Sequence, residues 1–143
     1  MSQLPEIKVV INGEAAVIAA RQKTRRLAAE LGFLPTDLAI IATSVSELVR
    51  NILRYAGTGE LVVRSIHQSK RRGIEIVARD EGPGIRDIDQ AMQDGFSTSG
   101  GLGVGLPGVR RLMDEFDITS SREGGTVVKA KKWLPFYESQ DFR

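Results

Sequence analysis

Glu47 and Asn51 stand four residues apart. If the segment around them is helical, their side chains share one face, about 6 Å apart at Cβ, and a carboxylate and an amide address the same space. Such a pair can work on phosphates. Mg²⁺ keeps several waters and takes few protein ligands, so the Asn51 oxygen can hold the hydrated ion while Glu47 aligns a hydroxyl or water for attack on a phosphate. The same spacing also describes an ordinary solvated helix face, and the pair by itself leaves both readings open.

A second carboxylate, Asp80, opens the run Asp80-Glu81-Gly82-Pro83-Gly84 directly after a β-branched-rich stretch. It therefore sits at a strand's end, followed by a turn whose glycines keep side chains away from whatever Asp80 contacts. An acceptor-only carboxylate suits the exocyclic amine of adenine, and a flat purine would fit such a place. A plain surface turn would carry the same residues. The third signal is Gly100-Gly101-Leu102-Gly103-Val104-Gly105-Leu106-Pro107, which runs from a loop into a helix. Free backbone amides and the positive end of a helix dipole then converge on one spot, an arrangement that binds phosphate. No Gly-Lys-Ser/Thr follows and no βαβ unit surrounds it, so neither the Walker loop nor the dinucleotide fingerprint is present.

The elements that must hold these residues are legible in the periodicity. Glu6 to Ile11 alternates as a strand and ends at Asn12-Gly13. Glu14 to Leu31 is expected as a helix with Val17, Ala20, Thr24, Leu27, Ala28 and Leu31 on one face and Gly32 as its C-cap. Pro35, Thr36 and Asp37 open a second helix to about Tyr55 whose apolar stripe runs from Leu38 to Ile52. Two strands, Glu60 to His67 and Gly73 to Arg79, read as a hairpin. A helix from about Pro107 to Glu115 and strands at Phe116 to Ser121 and Thr126 to Trp133 follow, the strands joined by the turn Glu123-Gly124-Gly125. The glycine-rich stretch from Asp80 to Gly105 lies between the two strand pairs, and its backbone must bend tightly or approach something closely. The outline is an α/β two-layer sandwich.

The 143 residues suit one domain, residues 1–143. Without cysteine there is no disulfide framework or thiolate metal site, and a cytoplasmic location is the default expectation. The N-terminus has no signal-peptide pattern and no apolar run reaches the roughly 20 residues that span a bilayer, so no membrane association is expected. Lys and Arg total 20 against 18 Asp and Glu, a net charge of +2 with the signs interspersed. The basic runs Lys70-Arg71-Arg72 and Lys129 to Lys132 are short and read as a turn and a strand face, which argues against a nucleic-acid partner.

In order and spacing the three signals are specific: Asn51 and Asp80 are 29 positions apart, Asp80 and Gly101 21. Together they resemble the nucleotide site of the GHKL ATPases (gyrase, Hsp90, histidine kinase and MutL), with Glu47-Leu48-Val49-Arg50-Asn51, Asp80 to Gly84 and Gly101 to Leu106 matching the three boxes and Gly125-Thr126 the later Gly-Thr. The resemblance implies the Bergerat fold, a mixed β-sheet with helices on one face. It implies ATP and Mg²⁺, with Asn51 on the metal, Asp80 reading adenine, Gly82 and Gly84 at the base pocket and Thr126 beside it. Gly101, Leu102, Gly103, Val104, Gly105 and Leu106 would wrap the phosphates. Gln93 to Gly101, with Ser97 and Thr98 as nucleotide contacts, would form a lid.

Gyrase, MutL and Hsp90 use further domains, and the only histidine, His67, falls on an expected strand rather than a phospho-acceptor helix. Ala20-Arg21-Gln22, Arg50-Asn51, Arg54-Tyr55-Ala56-Gly57, Ala78-Arg79-Asp80, Ala91-Met92-Gln93-Asp94-Gly95 and Arg111-Leu112-Met113-Asp114-Glu115-Phe116 are similar to the RsbT-like switch kinases, over nearly the whole chain. Phe96 and Val104, where that family suggests Tyr and Leu, change bulk only slightly. The resemblance implies phosphorylation of Ser or Thr on STAS-domain partners (RsbS/RsbR-like), with Glu47 as the catalytic carboxylate and a PP2C-type phosphatase as the partner activated afterwards. An anti-sigma factor and a non-catalytic ATP-gated binding module are the alternatives. The basic helix face at Arg21, Arg25 and Arg26 is either a docking surface or solvated.

Overall fold

The computed structural model describes residues 5–84, 92, 104–121 and 123–135. The first strand, β1 (Glu6–Ile11), leads into α1 (Ala15–Leu31), whose buried residues Val17, Ala20, Thr24, Leu27 and Ala28 recur at helical spacing. Gly32 ends it in the left-handed region, φ 105°, and its N–H returns to the Ala29 carbonyl at 3.1 Å. The next helix, α2 (Pro35–Tyr55), begins as expected with Pro35 in its first turn, where a missing N–H costs nothing, and with Asp37 at the positive end of the dipole. Leu38, Ile41, Val45, Leu48, Val49 and Ile52 form its buried stripe.

The strands β2 (Gly59–Gln68) and β3 (Arg71–Asp80) make the expected hairpin. They are followed by α3 (Gly105–Leu112), β4 (Glu115–Ser121) and β5 (Gly125–Trp133). Here the boundaries differ from the sequence reading. The last helix starts at Gly105 and not at Pro107, which is tolerated at the third position because the first-turn N–H groups have no intrahelical partner anyway. It also stops at Leu112, short of Glu115, because Asp114 is claimed by β5: its carboxylate accepts the Trp133 backbone N–H at 2.7 Å and faces Lys132 Nζ at 3.4 Å.

The five strands are ordered β1-β2-β3-β5-β4, and all four neighbouring pairs are antiparallel. The expectation of a mixed sheet is corrected on this point. β4 does follow β3 by a crossover and runs in the same direction, but β5 turns back from β4 and inserts between them, so no parallel pair forms among the described strands.

One core lies between the sheet and the helices. Val9, Ile11, Leu61, Val63, Ile74, Ile76, Ala78, Val128 and Ala130 face it from the sheet, and residues of α1, α2 and α3 face it from the other side. The opposite sheet face alternates in charge along one register row, Glu6, Arg64, Glu75, Lys131 and Glu115. Arg64 Nε donates to Glu75 Oε1 at 2.8 Å, and Lys131 lies 3.7 Å from Glu115. Opposite charges directly across strands support the register and discourage sheet-to-sheet association. The basic run Lys129 to Lys132 is thereby split between the two faces: Lys129 and Lys131 point outward, whereas Lys132 reaches Asp114, the Leu112 carbonyl and Asp37 on the helix side. No helix among the described residues is long and apolar enough to cross a membrane.

Candidate active site

Glu47 and Asn51 lie on α2, each only 9% exposed although neither is apolar. A carboxylate that deep needs donors. Glu47 has them from the far end of the glycine run: the Val104 N–H donates to its Oε2 at 3.1 Å and the Gly105 N–H to its Oε1 at 3.2 Å. Arg50, one turn on, places its guanidinium 3.5 Å from Oε2. The Glu47 carboxylate thus sits on the first amides of α3, the kind of place a phosphate takes, where unpaired N–H groups and the helix dipole favour negative charge. Leu106 packs into the core, so only its backbone is left to address a ligand.

Asp80 ends β3 and is 3% exposed. Its Oδ1 accepts the Gly82 N–H at 2.9 Å and the Thr126 N–H at 3.3 Å. Both bonds from described residues end on the same oxygen, which fixes the carboxylate and leaves Oδ2 for a further donor. The turn after Asp80 is pressed on two neighbours. A Cβ on Gly82 would come within 2.5 Å of the Ala56 Cβ at the end of α2. At Gly84, φ is 83°, and a Cβ would meet the Ser121 carbonyl oxygen at 2.5 Å and Ser120 Oγ at 3.0 Å. Gly84→Ala is therefore expected to destabilise the protein by roughly 2–4 kcal/mol, from the left-handed conformation and the contact with fixed backbone. Urea unfolding would read this as a lower midpoint with an unchanged slope.

Thr126, 2% exposed, lies between Asp80 and Ser120 in the register of the sheet and on its helix-facing side. Its Oγ1 is 2.8 Å from Ser120 Oγ. Ser120 was not singled out in the sequence. The only signal was a polar residue in the position that continues the inward-facing series Phe116, Ile118 of β4. The expected nucleotide contacts Ser97, Thr98, Gly101, Leu102 and Gly103 lie outside the described residues.

Asn51 offers a single neutral oxygen, and among the described residues no group of three or more His, Cys, Asp or Glu could hold a metal ion. That donor set fits an Mg²⁺ bound mainly by water and by a substrate's phosphates, which is the ion's habit, and does not fit a resident metal held by a protein cage.

The family described as histidine kinase-like ATPase domain matches residues 12–132. The chain is 52% identical over 126 residues to the serine/threonine-protein kinase RsbT of Bacillus subtilis (strain 168), covering 88% of this chain and 95% of that protein. It is 32% identical over 121 residues to the anti-sigma F factor of Caldanaerobacter subterraneus subsp. tengcongensis, covering 80% and 83%. A crystal structure of the RsbU and RsbW domains of a Mycobacterium tuberculosis protein matches with a TM-score of 0.60 at 19% identity. That match covers 92% of this chain and 33% of the other, so the chain spans a third of that structure, and the likeness bears on the fold alone.

The chain therefore belongs to the histidine kinase-like ATPase family and, within it, to the RsbT-like serine/threonine-protein kinases. As such it is an ATP-binding protein kinase of partner-switching signalling.

Proposed function

We propose that the chain transfers the γ-phosphoryl group of ATP to a serine or threonine hydroxyl of a STAS-domain regulator of the RsbS/RsbR kind, and that release from this partner frees it to activate a PP2C-type phosphatase. The observation that carries the reading is the pair of hydrogen bonds from the Val104 and Gly105 amides to Glu47. It brings a buried carboxylate from α2 to the spot where the glycine loop enters α3, although the residues are 57 and 58 positions apart.

In this reading Asp80 Oδ2 accepts the exocyclic amine of adenine, Thr126 lies beside the base, and the backbone at Gly82 and Gly84 passes close to it. Gly101, Leu102, Gly103, Val104, Gly105 and Leu106 follow the phosphates with their amides, Ser97 and Thr98 belong to the lid, and Asn51 holds Mg²⁺. The ion supplies neutralisation of phosphate charge. Phosphates arriving at the α3 amides take those donors from Glu47, and the freed carboxylate turns to the acceptor hydroxyl. Arg50 stays beside it and keeps it oriented. The acceptor oxygen then forms its bond to the γ-phosphorus, the bond from that phosphorus to the β,γ-bridging oxygen breaks, ADP leaves, and the hydroxyl proton passes to Glu47. Nearly all of the rate enhancement comes from positioning and from donors preset for the phosphate charge.

The similarity to anti-sigma F factors favours a second reading, a kinase that chiefly holds a sigma subunit. The two separate in a binding experiment. Under the first, the chain co-elutes with a STAS-domain protein in the presence of a non-hydrolysable ATP analogue, and the complex dissolves when Mg·ATP replaces it. A complex with a sigma subunit that persists under ATP, with no binding to the STAS protein, would contradict the first reading and support the second.

A further inference from the structure

Two hydroxyls among the described residues are fully buried and have no hydrogen-bond partner, those of Thr24 on α1 and Ser44 on α2. An unpaired buried hydroxyl costs free energy that an alanine avoids. The usual remedy in a helix, a bond to the carbonyl four residues back, is not made. Ser44 stands where a partner can arrive. Ser44, Glu47 and Asn51 follow one another at i, i+3 and i+7 and share one face of α2. Along α2 the other helix runs back: the first amides of α3 meet Glu47, and its last carbonyl, that of Leu112, accepts from Lys132, which also faces Asp37 in the first turn of α2. Ser44 lies between these two contacts, one turn before Glu47.

The Glu47 carboxylate has the complementary shortage. It holds the Val104 and Gly105 amides at 3.1 and 3.2 Å. Phosphates that take those amides leave a residue only 9% exposed with Arg50 alone beside it, and that side chain is itself 55% exposed. A charge this deep requires a donor within the protein. Long side chains on a helix lean toward its N-terminus, over the residue one turn back, and for Glu47 that residue is Ser44. A hydroxyl without an acceptor and a carboxylate about to lose its donors are thus neighbours on one helix.

We propose that Ser44 is the second seat of Glu47: when phosphate occupies the α3 amides, the Ser44 hydroxyl donates to one oxygen of the released carboxylate and leaves the other for the acceptor hydroxyl. Ser44 touches neither nucleotide nor acceptor, so it is a positioning residue. The inference rests on the phosphotransfer reading above and goes beyond it by giving the displaced carboxylate a defined place. Ser44 is unpaired while Glu47 holds the amides and paired once Glu47 leaves them, so its contribution appears in ATP binding.

The test is a double-mutant cycle on the full chain, read as dissociation constants for Mg·ATP by calorimetric titration. Ser44→Ala should weaken ATP binding about tenfold, the scale of a hydrogen bond to a charged group. The void left by one hydroxyl is too small for a water to take over its role. In the Glu47→Ala background the same substitution should change nothing, because no carboxylate needs the seat. Thr24→Val, which removes the other unpartnered hydroxyl from a helix that supplies no residue to the site, should leave ATP binding as it was. An unchanged affinity in Ser44→Ala would overturn the proposal. So would a loss of equal size with and without Glu47, or one matched by Thr24→Val, since either marks an effect of packing. Failure of the ATP reading itself looks different: the wild-type chain would show no saturable ATP binding, and the proposal would fall with it.

Discussion

Asp80→Asn is expected to weaken ATP binding by roughly a hundredfold, about 3 kcal/mol, and to narrow the preference for ATP over GTP. The size follows from the fixed position of one oxygen. Oδ1 accepts two backbone N–H groups, from Gly82 and Thr126. An asparagine must place its carbonyl oxygen there, since turning its NH₂ toward two N–H donors would cost both bonds. The NH₂ is then forced into the place of Oδ2 and meets the exocyclic amine of adenine, donor against donor. Guanine carries a carbonyl oxygen at that ring position, so GTP is weakened less than ATP. Calorimetric titration of both nucleotides checks this, and an equal loss for the two would show that Asp80 holds the turn together without reading the base.

In the proposed reading, Glu47→Ala acts on the other end of the nucleotide. Transfer to the partner should fall by 10²- to 10⁴-fold, the usual contribution of a positioned acid or base. ATP affinity should not fall with it. The Glu47 carboxylate occupies the Val104 and Gly105 amides, and in the proposed reading a phosphate has to displace it, so its removal is expected to leave affinity equal or raise it by a few fold. Single-turnover transfer rates measured beside ATP dissociation constants separate the two effects. A variant that lost binding as severely as Asp80→Asn would contradict the division of labour between α2 and β3.

Most of the fold was legible because its signals are local. The alternation of Glu6–Ile11, the helical stripes of α1 and α2 and the hairpin of β2 and β3 appear where their periodicities end. What failed to show was set by distant partners. The last helix stops at Leu112 because Asp114 bonds Trp133, 19 residues ahead at the end of β5. The described strands are all paired antiparallel because β5 inserts between β3 and β4, a fact of topology with no local marker.

The site divides in the same way. Glu47, Asn51 and Asp80 stood out because a carboxylate or amide at fixed spacing, or at a strand's end before glycines, is visible along the chain. That Glu47 caps the amides of Val104 and Gly105 was invisible, since nothing at residue 47 announces a partner at 104. Ser120 was missed because its meaning depends on the register of β4 against β5, which puts it beside Thr126. Burial of polar residues proved the more general sign: Glu47, Asn51, Asp80 and Thr126 are four of the nine buried polar residues in the described structure, and each belongs to the candidate site.

The most direct measurement is transfer itself: the chain with Mg·ATP labelled on the γ-phosphate and a STAS-domain partner, run beside Glu47→Ala. Label on a serine or threonine of the partner, lost in the variant while the variant still binds ATP, is the predicted result. Tight ATP binding by the wild-type chain with no label on the STAS partner would contradict the account.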